Sequence, residues 1–133
     1  MPFPIEEKYI KETENELNVK FPEKFKAKMI KENGGVFIEK LEFEQEDFVY
    51  WLHPFFDKSD KKRISRTCNH IGLETKSALE WNNFSKNAIA IGHDGNGNNL
   101  VLTHKGDGNL SEKLYFCSHE TGELEQIAES ITN

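Results

Sequence analysis

The chain has 133 residues, of which 36% are hydrophobic and 30% charged, with 10 Phe and a formal net charge of −6. That is the size of one domain, expected to span residues 1–133. It is too apolar for a disordered chain and too acidic for nonspecific attraction to nucleic acid phosphates. Its longest apolar run, Phe48 to Leu52, falls far short of the roughly 20 residues that cross a bilayer. The opening residues carry no basic patch followed by an apolar segment, so a cytoplasmic location is the expectation, with Cys68 and Cys117 as free thiols.

The first element is an amphipathic helix from about Pro4 to Leu17, marked by the spacing of Ile10, Thr13, Glu14 and Leu17. A second helix starts at Pro22, whose missing N–H costs nothing in the first turn. Phe25, Met29 and Ile30 lie on one face of it, and it stops at Asn33-Gly34-Gly35, where glycine tolerates left-handed backbone. Residues 18–21 are short enough to make the pair a helical hairpin. Val36 to Phe43 has the β-branched and aromatic content of a strand, and a second strand runs from Phe48 to just before Pro54.

Across the first strand and the connection to the second, Glu39, Glu42, Glu44, Glu46 and Asp47 cluster against Lys40 alone, as a solvated loop or as a patch that steers a cationic partner. The aromatic block Phe48 to Phe56 either fills the core or offers Tyr50 and Trp51 to a partner. Asp57 to Asn69 reads as a mobile basic loop carrying Lys58, Lys61, Lys62, Arg63 and Arg66, and Leu73 to Trp81 as a helix. The apolar alternation of Ile89, Ile91, Leu100 and Leu102 around a Gly- and Asn-rich turn predicts a β-hairpin. Lys105 to Asn109 is a second turn and Lys113 to Cys117 another strand. Leu124, Ile127, Ala128 and Ile131 have the spacing of a closing amphipathic helix. The order argues an α+β fold with a mainly antiparallel sheet and helices packed on one side.

No reactive constellation emerges. Asp94, Asn96 and Asn98 alternate like calcium ligands, but Asn99 replaces the required Gly and Lys105 the bidentate Glu. Gly92, Gly95 and Gly97 lack dinucleotide spacing and lead into a strand. Cys68-Asn69-His70 carries no thiol-enzyme signature. His93-Asp94 and His119-Glu120 follow strands and could approach each other. A metal-dependent hydrolase using His93, Asp94 and His119 is therefore the lesser alternative, and the expectation is no catalytic residue, no cofactor and no metal.

Three segments together resemble the SUKH superfamily, which includes the Smi/Knr-type cell-wall assembly regulators. They are Ile10 to Phe25 followed by Asn33-Gly34-Gly35, the hairpin Ile89 to Leu100, and Leu114 to Glu120 followed by Ile127 to Ile131. Asn98-Asn99 departs from that pattern, which often has an acidic residue after the last glycine. The resemblance implies an α+β fold and a role in binding. Bacterial members are typically immunity proteins that neutralise a cognate toxin domain, often a nuclease, of a polymorphic or contact-dependent toxin system. Fungal members are interaction hubs. The expectation is thus an immunity protein with a protein toxin as partner and neither nucleic acid nor membrane. A non-catalytic interaction regulator is the alternative. Glu39, Glu42, Glu44, Glu46 and Asp47 would steer a cationic nuclease, with Tyr50 and Trp51 as anchors. The sequence leaves the oligomeric state open.

Overall fold

Burial of Tyr9, Ile10 and Thr13 on one side makes α1 (Glu7–Leu17) a docked helix, and Asn18 ends it in the left-handed conformation at φ 60°. The computed structural model describes residues 3–39, 48–80 and 84–132. Helix α2 (Glu23–Lys31) starts just after Pro22 and buries Phe25 and Met29. Phe21, Phe25 and Phe55 then form an aromatic knot, with ring centroids 4.9–5.9 Å apart. The backbone of Lys20, between the two helices, donates to Gly108 and accepts from Leu110, which anchors this connection to the sheet.

The Asn33-Gly34-Gly35 turn behaves as its composition demands, with Gly34 at φ 122° and Gly35 at φ 82°. Asn33 is buried, and its side-chain amide both donates to and accepts from the Phe55 backbone at 3.0 and 2.8 Å. One side chain thereby replaces a pair of ladder bonds and clamps the end of α2 to the chain beyond the second strand.

The strands are β1 (Val36–Glu39), β2 (Phe48–Leu52), β3 (Ala88–His93), β4 (Asn99–Gly106), β5 (Asn109–Leu110), β6 (Leu114–Cys117) and β7 (Leu124–Ala128). They form one antiparallel sheet in the order β1-β2-β3-β4-β6-β7, with β5 paired to β4. Strand alternation sends Phe37, Tyr50, Leu52, Ile89, Leu100 and Leu102 to the face covered by α1 and α2, which is the main core. Ala88, Ala90, Val101 and Cys117 face the other way into a smaller cluster with Phe84.

Four features differ from the sequence reading. Residues 57–69 contain a short helix, α3 (Lys61–Arg66), where Asp60 accepts from the Arg63 amide at 2.8 Å and so supplies the cap that a mobile loop would lack. The helices do not all lie on one side. Helix α4 (Ile71–Leu79) runs along the part of β3 that β2 leaves unpaired. Its Thr75 hydroxyl accepts from Ala90 N at 3.0 Å, and it places Ile71 in the main core but Ala78 in the smaller cluster. Helix α1 packs on α4, so the N-terminal pair is not a self-contained hairpin.

The chain closes with a strand, not a helix. The turn after β6 is too tight to launch one, since Gly122 N donates to Ser118 O and Ser118 N to Glu123 O, folding 124–128 directly onto the free edge of β6. Edge pairing overrides the helical spacing, and Ile127, Ala128 and Ile131 still pack against the core.

Candidate binding surface

Gly92 is where the sheet's register is reset. Pairing of β3 with β4 shifts between Ala90 and Gly92, and a β-bulge of this kind inverts which face the following residues occupy. Past it, Gly92 pairs with Leu100 on the core side, while His93 pairs with Asn99 on the other. The register with β2 agrees, since Leu52 stands opposite Gly92 and Trp51 opposite His93. The site demands glycine because a Cβ there would lie 2.7 Å from the Trp51 carbonyl oxygen.

The outer face beyond the bulge is consequently aromatic and apolar. Val36, Trp51 and His93 line up across β1, β2 and β3, with Ile38 and Val49 in the next row. Trp51 is 47% exposed, Val36 46% and Ile38 43%. The Trp51 ring stacks on His93 with centroids 5.7 Å apart, and His93 stacks in turn on His53 at 5.4 Å. His53 is buried, and desolvation, aided by His93, lowers its pKa to about 4, so it is neutral at pH 7. The patch is therefore a large rigid ring on a firm base.

Beside it, two turns are fastened together. Asp94 accepts from Asn96 N at 2.8 Å, Asn98 N at 3.2 Å and Asn98 Nδ2 at 2.8 Å. Asn98 Oδ1 then accepts from His119 N at 2.9 Å and sits 2.7 Å from His119 Nδ1. The alternating Asp94, Asn96 and Asn98 thus serve a hydrogen-bonded turn, and His119 is drawn to Asn98 across the sheet. Among the described residues no group of three or more His, Cys, Asp or Glu side chains could hold a metal ion. Cys68 and Cys117 are both free, the first exposed and the second buried.

The expected contact residues separate. Tyr50 is not a surface anchor: it is 2% exposed, flanked by Phe37 and Phe48, and burial raises its phenol pKa. Adjacent residues of a strand face opposite ways, so burying Tyr50 is what presents Trp51. Glu39 shares the face of Phe37, opposite to Trp51, and partial burial, then the nearby Glu125, raises its carboxyl pKa. Glu42, Glu44, Glu46 and Asp47 lie outside the described residues. His93 and Val36 were not expected in this surface. The bulge that aims His93 has no sequence signal beyond a glycine one residue before it.

One antiparallel sheet, helices on its core side and along its β3 edge, and an exposed aromatic face define an α+β protein. Among the described residues, no helix is long and apolar enough to cross a membrane. The chain belongs to the SMI1 / KNR4 family (SUKH-1), whose model matches residues 4–133. Comparison with curated proteins and with solved structures finds no match.

Proposed function

We propose that the chain is an immunity protein that binds and neutralises a cognate toxin domain, of nuclease type, through the outer face of β1, β2 and the end of β3. The single observation that carries this reading is the exposed row of Val36, Trp51 and His93, with Trp51 held by stacking. A preoriented aromatic surrounded by smaller apolar groups is the usual composition of an interface hot spot. The net charge of −6 suits a cationic partner, because a nuclease needs a basic groove for its own substrate. Glu42, Glu44, Glu46 and Asp47, which follow β1 and precede β2 in the sequence, would supply charge for steering. Binding would act by occlusion, with no chemistry asked of this chain.

Co-expression with toxin domains encoded beside this gene tests the reading, scored by growth rescue and co-purification. The expected result is rescue by the native chain and its loss with Trp51→Glu, with a cooperative urea transition checking that the variant is folded. Rescue unaffected by Trp51→Glu would place the interface elsewhere. Reversing Glu42, Glu44 and Glu46 to Lys should slow association and weaken its salt dependence while dissociation changes little.

A further inference from the structure

A second feature uses none of those side chains. A cavity of about 260 Å3 opens between the N-terminal segment, the Gly34-Gly35 turn and α3, lined by Phe3, Asn33, Asp57, Arg63, Arg66 and Thr67 among others. Two guanidinium groups converge on one ring there: Arg63 Cζ is 4.9 Å and Arg66 Cζ 4.7 Å from the Phe3 centroid. Bringing two cations together in a cleft is unfavourable unless opposite charge compensates them.

The described residues compensate only one. Asp57, 2% exposed, lies 3.9 Å from Arg63 and accepts from Ser59 N at 3.0 Å. No carboxylate among the described residues pairs with Arg66, so the cavity retains a net positive charge in an otherwise acidic protein. Its walls are already fixed. Thr67 Oγ1 accepts from Asp57 N at 2.9 Å and donates to Arg63 O at 2.7 Å, while Asn33 is clamped to Phe55. A cation–π contact fixes a guanidinium plane yet leaves its edge N–H donors free.

From these features the geometry points to an oxyanion-binding site, in which Arg66, supported by Arg63, holds a single carboxylate or phosphate group against Phe3. The guanidinium fork matches both anions, and the cavity has room for one such group with a small substituent.

NMR titration of the full chain at pH 7 and constant ionic strength tests the site, using sodium acetate, inorganic phosphate and, as the neutral isostere of acetate, acetamide. The expected result is a saturating shift of the Gly34 and Gly35 amides and the Arg66 side-chain N–H with acetate or phosphate, and none with acetamide. The tighter of the two anions identifies the group. Arg66→Gln should weaken binding about tenfold, as for loss of a charge-assisted hydrogen bond. Lys62→Gln, on the same helix but outside the cavity lining, should leave it unchanged. A response linear in anion concentration, or equal losses in the two variants, would overturn the site in favour of diffuse electrostatics. The titration needs no protein partner, so its failure leaves the sheet-face reading intact.

Discussion

At Gly92 the missing side chain is a requirement of close approach, because the obstructing atom is a backbone oxygen that cannot swing aside. Gly92→Ala should therefore cost about 1–3 kcal/mol, the usual range for overpacking. A lower urea midpoint with an unchanged m-value would show it. Glu39 makes the opposite case. A carboxyl pKa raised in the folded state means that ionisation opposes folding once pH exceeds the ordinary carboxylate range. Glu39→Gln should raise the urea midpoint at pH 7, and the gain should shrink toward pH 4, where the native carboxyl is increasingly protonated in both states. An unchanged midpoint at pH 7 would refute this assignment of strain.

Among the elements, those with strong local punctuation were legible in the sequence. Helix α2 between Pro22 and Asn33 and the β3–β4 hairpin around its Gly- and Asn-rich turn follow from residues that restrict or free the backbone. The closing segment shows where local reading stops, since Leu124, Ile127, Ala128 and Ile131 fit a helix and only the unpaired edge of β6 decides for a strand. Helix α3 escapes the sequence for a different reason, as the segment reads by its basic residues and the capping role of Asp60 shows only in the folded backbone. Of the expected contact residues, Trp51 emerges on the surface. Tyr50 was indistinguishable from it in an aromatic run whose alternation becomes informative only when the core side is known. The β6–β7 turn depends on Gly122 at φ 75°, and a side chain in that conformation costs about 1 kcal/mol. Gly122→Ala should reduce stability by roughly that amount and accelerate amide exchange in β7, while α4 stays protected. Equal acceleration in both would mean that β7 opens only with the whole molecule.

For the molecule as a whole, the neutral His53 beneath the aromatic surface sets a pH window. Its pKa is about 4 when folded and near 6.5 when unfolded, so below about pH 6.5 the unfolded chain binds a proton that the native state refuses. Its contribution is level above pH 6.5, declines as pH falls toward 4, and levels again. The loss is on the order of 3 kcal/mol across the window. Urea unfolding at pH 7.5 and pH 5 should show native stability falling more steeply than that of His53→Gln; parallel declines would assign the acid sensitivity to other groups. The bulge in β3 bears on how the composition of this face can change. Because one supernumerary residue sets which side chain joins Trp51, gain of a single codon between the bulge and the hairpin tip would swap inward and outward positions from there to the tip. The packed interior on the near side would keep its arrangement. On the proposed binding role, retargeting of this surface would be open to short insertions as well as to point substitutions.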